Sequence, residues 1–232
     1  MKTISIMQPY FFPYIGYWQL IKASSIFVVY DNIQYTKKGW INRNRFLQNN
    51  TDAYFTLPLK KQSDFLNINM RSIAADFDKE KLFCKIQFAY KNAPYFNETI
   101  NLFEEILKNP SDNLFEYIYN SISIINRKLN IDTKVIVSSE IPIDHNLKSE
   151  NKVLAICQYL NAQTYINPIG GLSLYDKKAF NEKNIDLKFL KSDLIEYKQF
   201  NNEFIPWLSI LDIMMFNNNE EIQKMLNAYS FV

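Results

Sequence analysis

Short apolar runs alternate with amphipathic stretches through most of this chain. The first unit runs from strand-like residues 3–7, through residues 16–23 with the 3.6-residue spacing of a helix, to the apolar run 26–30. A run without polar interruption is typical of a strand buried on both faces of a parallel sheet. Two parallel strands joined by a helix place the loop after the first strand at the carboxyl edge of the sheet, where open α/β sheets bind their ligands.

The same alternation continues along the chain. Helices are predicted at 79–92, 97–108, 113–130, 149–160, 176–184, 205–216 and 219–228, and strands at 134–138, 164–167 and 186–190. Strands that alternate with helices predict an α/β fold with a mainly parallel, Rossmann-like sheet. We expect one compact domain over residues 1–232, with an α/β core at about 1–190, a helical insertion at about 79–130 and a helical C-terminal extension at 191–232.

The alternation is interrupted between residues 31 and 73. Residues 31–50 are polar and aromatic without a sustained period, which predicts a loop. Residues 51–59 and 68–73 each alternate like strands on either side of a polar break, so we expect them to pair as a hairpin.

Composition narrows the class of protein. A hydrophobic content of 47% indicates a folded chain, because it can bury enough apolar surface to offset the entropy of ordering. The 26 Lys+Arg against 24 Asp+Glu leave a net charge of +2, which argues against nucleic acid as a specific target. No window approaches the roughly 20 apolar residues of a membrane helix, so no integral membrane segment is predicted.

The two cysteines, Cys84 and Cys157, lack the spacing of a disulfide framework or a metal site, and both lie in apolar helical stretches. We expect them to be reduced core residues of a cytoplasmic protein. Because the chain contains one histidine, no zinc or other metal site is predicted.

Aromatic and proline residues crowd the turn between the first strand and the first helix, QPYFFPYIGY at 8–17. The helix N-terminus there presents N–H groups and positive dipole to an anion such as phosphate. Buried tyrosine and glutamine heads also need polar partners. We therefore predict substrate-binding roles for Gln8, Tyr10, Tyr14, Gly16 and Tyr17; the alternative is an aromatic mini-core that pins the loop.

A second cluster, at 31–45, concentrates charge and amides. Two of the four arginines of the chain fall within three residues, beside two lysines and a tryptophan. A guanidinium group suits bidentate phosphate binding, and an aromatic ring can stack on a base or sugar. The predicted substrate-binding residues are Gln34, Tyr35, Lys37, Lys38, Trp40, Asn42, Arg43 and Arg45. The alternative is a solvated basic loop.

The third cluster, at 165–175, holds two of the four glycines between a short strand and a helix. Paired glycines permit positive φ and a close approach of the backbone to a ligand, so Gly170 and Gly171 are predicted substrate-binding residues together with Asn167. The spacing is neither a dinucleotide fingerprint nor a P-loop. A purely structural turn is the alternative.

Candidates for acid–base chemistry are few. The predicted catalytic set is His145, Asp31 and Tyr175, although a lone histidine is more often a surface residue than a catalyst. No Ser-His-Asp or Cys-His order with a nucleophile elbow is present. Since the three clusters follow predicted parallel strands, we expect them to line one cleft at the carboxyl edge of the sheet.

Four segments resemble motifs of the WbqC-like family of bacterial proteins and together span most of the chain. They are MQPYFFPYIGYWQLI, DNIQYTKKGWINRNR, YINPIGGLSLYD and FIPWLSILDIMMFN. The motif positions are Gln8, Pro9, Tyr10, Pro13, Tyr14, Gly16, Asp31, Gln34, Lys38, Trp40, Asn42, Arg43, Asn167, Gly170, Gly171 and Tyr175. The resemblance implies an association with gene clusters for lipopolysaccharide O-antigen and other surface polysaccharides, without a defined reaction.

The strand, Pro-x-x-Gly turn and helix also resemble the H-x-G-H segment of nucleotidylyltransferases and pantothenate synthetase-like ligases, in which the helix N-terminus meets ATP phosphates. Tyr14 and Tyr17 occupy the two histidine places. A neutral tyrosine donates a hydrogen bond but supplies no cationic contact. This resemblance therefore implies a nucleotidylyltransferase-like fold more strongly than adenylyl transfer.

Together these features predict an enzyme that transfers a small acyl or aminoacyl group to an amino sugar on a nucleotide carrier. Arg43, Arg45 and Lys38 would hold the phosphates, and Trp40 or Tyr35 would stack on a ring. No cofactor is required; ATP or an acyl or aminoacyl donor is left open as co-substrate, as is a homodimer. Two alternatives stand: an ATP-dependent adenylylating ligase, and a non-catalytic sugar-nucleotide-binding or scaffold protein.

Overall fold

A computed structural model describes residues 2–201 and 203–232 and has the α/β architecture expected from the sequence. The strands are β1 (Thr3–Met7), β2 (Ile26–Val29), β3 (Arg43–Gln48), β4 (Thr51–Thr56), β5 (Lys134–Val137), β6 (Thr164–Pro168), β7 (Asp186–Ser192) and β8 (Tyr229–Phe231). The helices are α1 (Ile15–Lys22), α2 (Lys79–Tyr90), α3 (Phe96–Leu107), α4 (Leu114–Lys128), α5 (Ser149–Tyr159), α6 (Lys177–Asn181), α7 (Ile210–Phe216) and α8 (Asn219–Met225).

Six strands form one sheet, in the order β5-β2-β1-β6-β7-β8. The first five of these are parallel, and β8 pairs antiparallel with β7 at one edge. The chain moves from β1 to β2 in one direction across the sheet and from β5 to β6 in the other. The strand order therefore reverses between β1 and β6, which is the place where open α/β sheets bind ligands.

Alternate residues of the strands feed two hydrophobic cores, one on each face of the sheet. Ile4 and Ile6 of β1 pack with α5 and α6, whereas Phe27 and Val29 of β2 belong to the core that also contains α1–α4, α7 and α8. The helical insertion and the C-terminal helices thus share one face of the sheet with α1. This arrangement brings the tail close to the loop that precedes α1.

The hairpin differs from the expectation. Strand β3 pairs with β4, from Arg43 opposite Thr56 to Gln48 opposite Thr51, so the loop predicted over 31–50 is wrong in its last part. The predicted pairing of 51–59 with 68–73 is also wrong: 68–73 contains a short 3₁₀ turn and joins the first segment through an isolated bridge.

Strand β3 was not recognised in the sequence because the fold buries polar residues in it. Asn44 of β3 is 4% exposed, so the inward positions of this strand do not read as apolar in the sequence. The turn uses Asn49 and Asn50 with φ of 50° and 63°. Asparagine tolerates this left-handed conformation, and two such residues suit a two-residue hairpin turn.

Two other findings bear on expectations drawn from composition. Both cysteines are free; Cys157 is buried, but Cys84 is exposed on α2, so its predicted place in the core is wrong. That helix buries Leu82, Ile86 and Tyr90 instead.

Among the helices of the two described ranges, none combines the length and apolarity needed to cross a membrane.

A buried carboxylate ties the C-terminal extension to the rest of the fold. Asp212 of α7 is 0% exposed; its Oδ1 accepts from the Tyr90 hydroxyl at 2.6 Å. Its Oδ2 accepts from the Tyr197 hydroxyl at 2.6 Å and from Gln199 Nε2 at 2.8 Å. The Tyr90 oxygen also accepts the backbone N–H of Leu47 at 2.8 Å. One side chain therefore links α2, β3, α7 and the segment before α7.

Burial raises the pKa of Asp212 from 3.8 to about 6, while the hydrogen bonds from Tyr197, Tyr90 and Gln199 act in the opposite direction. Because the pKa of the folded state lies above that of the unfolded state, the folded protein binds this proton more tightly. The contribution of Asp212 to stability is therefore fully present below the unfolded pKa and is lost as the pH rises through about 6.

Substituting Asp212→Asn should remove this titration. We expect the free energy of unfolding of the wild type, relative to that of the variant, to fall by about 2–3 kcal/mol between about pH 4 and pH 7. Urea unfolding of both proteins at the two pH values measures the difference. Parallel pH profiles for the two proteins would contradict the assignment.

Candidate functional site

A mainly apolar cavity of about 340 Å³, the aromatic pocket, opens where the strand order reverses. It is lined by Met7, Tyr10, Pro13, Tyr14, Gly16, Tyr17, Leu20, Trp40, Asn44, Pro168, Ile169, Leu190, Ser192 and Trp207. All three candidate segments, 8–17, 31–45 and 165–175, contribute to this lining. The end of β7 and the C-terminal extension complete it.

Three tyrosines from the start of α1 and the loop before it line one wall. Burial raises the pKa of Tyr10 to about 12 and raises the pKa of Tyr14 and Tyr17 as well. The Tyr17 hydroxyl donates to the Gln8 carbonyl at 3.1 Å. All three side chains are neutral at physiological pH, so this wall can stack and donate hydrogen bonds without carrying charge.

Trp40 reaches the pocket from the turn before β3, and 41% of it is exposed. The guanidinium carbons of Arg43 and Arg45 each lie 5.9 Å from its ring centroid. Arg43 also donates to the backbone carbonyls of Gly39 and Lys38. Both predicted phosphate-binding arginines are thus in contact with the protein itself and hold the tryptophan in place.

Trp207 approaches the pocket from the C-terminal extension, with its ring centroid 5.1 Å from that of Tyr14. Arg45 Nη2 donates to the Trp207 carbonyl at 3.0 Å, and Arg45 Nη1 pairs with Asp52 at 3.1 Å. The φ of Trp207 is 63°, a left-handed conformation that bulky residues avoid. Such backbone strain costs about 1–3 kcal/mol, and it clusters at sites that hold ligands.

The third segment lines the pocket through Pro168 and Ile169, whereas the predicted residues Asn167, Gly170 and Gly171 are not part of the lining. Asn167, at the end of β6, accepts from the Tyr165 hydroxyl and donates to the Pro168 carbonyl, each at 3.1 Å. Neither Gly170 nor Gly171 has a positive φ, so the turn does not use the backbone freedom that the pair permits. A Cβ at Gly171 would overlap the Asn167 amide nitrogen, whereas nothing lies within 4 Å of a Cβ at Gly170.

A second group of polar side chains lies at the carboxyl ends of β2 and β5. Asp31 is 1% exposed, and its Oδ1 accepts from Ser138 Oγ at 2.7 Å and from the Ser139 N–H at 3.0 Å. Its Oδ2 accepts from Asn69 Nδ2 at 2.7 Å. These donors fix the carboxylate, which anchors the loop after β2.

Asn32 connects the two remaining members of this group. Its Nδ2 lies 2.9 Å from Nδ1 of His145, and its Oδ1 lies 3.2 Å from Nζ of Lys152. Burial lowers the pKa of Lys152, and the charge of Asp31 opposes this shift. We refer to Asp31, Asn32, Ser138, His145 and Lys152 as the polar cluster. It contains two of the three predicted catalytic residues.

The third, Tyr175, lies beyond β6. Its ring packs edge-on against that of Tyr165, with centroids 5.6 Å apart. Burial raises the pKa of Tyr175, so its hydroxyl is protonated at physiological pH. Through Tyr165 it adjoins Asn167, at the end of β6.

The family model described as "WbqC-like protein family" matches residues 8–224, which include the polar cluster and the whole lining of the aromatic pocket except Met7. The chain belongs to the WbqC-like protein family. A curated relative, "Uncharacterized protein Rv1507c" of Mycobacterium tuberculosis (strain ATCC 25618 / H37Rv), is 28% identical over 224 residues, which cover 92% of this chain and 93% of the relative. No solved structure matches the chain.

Some predicted substrate-binding residues of this WbqC-like protein lie outside both groups. The buried Tyr35 hydroxyl donates to Asn42 Oδ1 at 2.8 Å. At the surface, Gln34 donates to the Asp64 carbonyl at 3.1 Å, and Lys37 pairs with the Asp64 carboxylate at 2.8 Å. The contacts of these four residues are with the protein and support the loop between β2 and β3.

Sequence reasoning missed several residues of the two groups. They are Asn32, Asn44, Ser138, Lys152, Ser192 and Trp207. Lys152 interrupts the apolar face of a predicted helix, and Trp207 lies in the last of the four family-like segments. Both residues could have been recognised as candidates from these positions. A lysine on a buried face needs a polar partner.

A larger and more open groove, of about 770 Å³, lies between the β3–β4 turn and the end of α2. None of its lining residues directly follows the carboxyl end of a strand of the parallel sheet. Within residues 2–201 and 203–232, no three His, Cys, Asp or Glu side chains are grouped to hold a metal ion. The aromatic pocket and the polar cluster therefore form the candidate site of this WbqC-like protein.

The two neighbouring glycines provide a matched test of the turn after β6. Gly171→Ala should displace the Asn167 amide and leave its buried partners unpaired, so we expect this variant to be less stable than Gly170→Ala by about 1–3 kcal/mol. Urea unfolding of the two variants measures the difference. Equal stabilities would show that the close approach at Gly171 has no consequence.

Proposed function

We propose that this WbqC-like protein is an enzyme that transfers a small acyl or aminoacyl group to the amine of an amino sugar carried on a nucleotide. The observation that supports this most directly is the position and chemistry of the aromatic pocket. It is a neutral cavity with tyrosine and tryptophan walls, and it lies at the reversal point of a parallel sheet. A flat base or the apolar face of a sugar fits such walls by stacking.

The polar cluster extends this site along the same edge of the sheet. Strands β2 and β6 flank β1, so their carboxyl ends lie two strand spacings apart, about 10 Å. An elongated ligand with a ring at one end and a polar reacting group at the other matches this layout. We propose that the nucleotide base occupies the aromatic pocket and that the amino sugar points toward His145, Tyr175 and the loop that Asp31 anchors.

The diphosphate would lie between these ends, beside the start of α1. The side chain of the N-cap residue Tyr14 makes no hydrogen bond to the backbone N–H groups of the first turn of this helix. Gly16, in the same turn, lines the pocket. Backbone N–H groups at a helix start favour a phosphate. We propose the exposed Lys38 as a cationic contact, with Arg43 and Arg45 acting mainly by holding the aromatic walls.

The proposed step requires an activated donor, a thioester or ester of the acyl or aminoacyl group. The sugar amine attacks the carbonyl carbon, a C–N bond forms, and the C–S or C–O bond to the carrier breaks. The amine proton leaves with the thiolate or alkoxide or passes to solvent. Positioning and hydrogen bonds to the carbonyl oxygen accelerate such a step, and tyrosine, amide and imidazole groups can supply those bonds.

A role in assembling surface polysaccharide is part of this proposal and rests on the family resemblance. The decisive experiment incubates the protein with UDP- or dTDP-linked amino sugars and acyl or aminoacyl thioesters, and follows the sugar by mass spectrometry. A mass gain equal to the acyl group supports transfer. Release of pyrophosphate from ATP would indicate an adenylylating ligase, and saturable binding without any product would indicate a binding or scaffold protein.

Single substitutions test the stacking walls. Trp40→Ala and Trp207→Ala should each weaken binding of the nucleotide sugar by about tenfold or more, because a lost base–aromatic stack costs about 1–3 kcal/mol. Isothermal titration calorimetry measures the affinities.

Tyr159→Ala is the matched control. Tyr159 ends α5 near the opposite edge of the sheet and is 50% exposed, close to the 51% of Trp207. We expect its affinity to stay within about twofold of the wild type. If the two tryptophan variants bind as tightly as the control, the aromatic pocket does not hold the ring.

A further inference from the structure

The side chain of Asn32 lies between a lysine and the single histidine of the chain. Its Oδ1 is 3.2 Å from Lys152 Nζ and 2.8 Å from Ser138 Oγ, and its Nδ2 is 2.9 Å from His145 Nδ1. Lys152 is 4% exposed and also donates to the Asn32 backbone carbonyl at 3.2 Å. The Tyr30 ring lies 5.2 Å from the same amine. This chain of contacts constrains the protonation of the histidine ring.

Lys152 decides which end of the amide faces His145. An ammonium group has three donors and no acceptor, so it must face the amide oxygen of Asn32 and not the NH₂ group. Ser138 does not decide the matter, because its one proton can go to Asp31 Oδ1, 2.7 Å away, in either orientation of the amide. With the oxygen held by Lys152, the NH₂ group of Asn32 points at His145.

The NH₂ group can only donate, so Nδ1 of His145 must accept. A neutral imidazole that accepts at Nδ1 carries its proton on Nε2. The His145 side chain is exposed, and Nε2 makes no hydrogen bond to the part of the chain that the structure describes. An N–H donor is thereby presented outward at the carboxyl edge of β2.

Other charged groups nearby do not change this constraint. The Asp31 carboxylate is occupied by Ser138, the Ser139 N–H and Asn69. The carboxylate of Asp144, the residue before His145, accepts the backbone N–H of Asn146 at 2.9 Å. The contact with Asn32 is therefore the one that selects between the two ring nitrogens.

We propose that Lys152, acting through Asn32, holds His145 as the neutral tautomer protonated on Nε2, so that His145 donates a hydrogen bond to a carbonyl or phosphoryl oxygen of the ligand and does not act as a general base. Lys152 and Asn32 are positioning residues in this arrangement. The tautomer depends on the contacts above alone, whereas the oxygen that His145 meets rests on the proposed function.

The single histidine makes the tautomer directly measurable. Untagged protein labelled with ¹⁵N in the imidazole ring gives one spin system in a long-range ¹H–¹⁵N correlation spectrum recorded near pH 8. We expect the pattern of an imidazole protonated on Nε2 alone. A mixture of tautomers, or a ring protonated on Nδ1, would overturn the proposal.

Two variants test the route through Asn32. In Asn32→Asp the carboxylate keeps the contact with Lys152 but now accepts from the ring, so the proton should move to Nδ1. In Lys152→Met the amide is released and the Nδ1-protonated form should become detectable. The matched control, Lys148→Met, removes an exposed lysine just before α5 and should leave the spectrum unchanged.

If Lys152→Met fails to fold, the spectrum of Asn32→Asp still tests whether Asn32 sets the tautomer of His145, because this variant keeps a polar partner for the lysine. An unchanged Nε2 pattern in a folded Asn32→Asp protein would rule out the route.

In the transfer assay, His145→Gln keeps an N–H donor and should retain activity to within about tenfold, whereas His145→Ala should lose about 10²-fold. Equal losses in both variants would indicate a base. The spectra stand whether or not transfer is observed, so the two proposals fail separately.

Discussion

The candidate site depends on the hydrogen bonds that hold the carboxylate of Asp212 inside the protein. Two tyrosine hydroxyls and a glutamine amide meet this group, and they come from α2 and from the segment before α7. The same stretch of chain carries Trp207 to the aromatic pocket, where the Ser209 N–H donates to the Arg45 carbonyl and the Ile210 N–H to the Pro13 carbonyl. Because a buried carboxylate is stable only with its donors in place, the network fixes the tail against α2 and the β3–β4 hairpin and so completes the pocket wall.

The edge of the sheet is divided into two chemically different halves. At β6 and β7 the cavity is apolar and its tyrosines are neutral, whereas at β2 and β5 a carboxylate, an amide, an imidazole and an amine are joined by hydrogen bonds. A ligand that lies along this edge therefore meets stacking surfaces at one end and directed donors at the other.

The parallel sheet was predictable because β2 is buried along its whole length and appears as a continuous apolar run, and because the other short strand-like runs alternate with helices along the chain. The meeting of the three candidate segments followed from the same reasoning, since the loops after parallel strands emerge at one edge. The hairpin was not predictable in this way. Its strand β3 buries Asn44, and a polar residue that is satisfied by distant partners breaks the alternation that identifies a strand. Gly171 is a similar case, because its reason is the nearby Asn167 amide and not the backbone angle.

Residue order was sufficient to place the five parallel strands of the sheet, the helices around it and the loops that carry aromatic and polar side chains, because those properties depend on neighbours within a few turns. It did not reveal β8, which lies in a tail that we expected to be helical. The hydrogen-bond partners of the buried polar groups could not be predicted from the sequence. Asp31 and Ser138 are 107 residues apart, Asn32 and Lys152 are 120 apart, and Tyr90 and Asp212 are 122 apart. Such pairs leave no local pattern, since each side chain is accommodated only when the folded chain brings its partner within hydrogen-bonding distance.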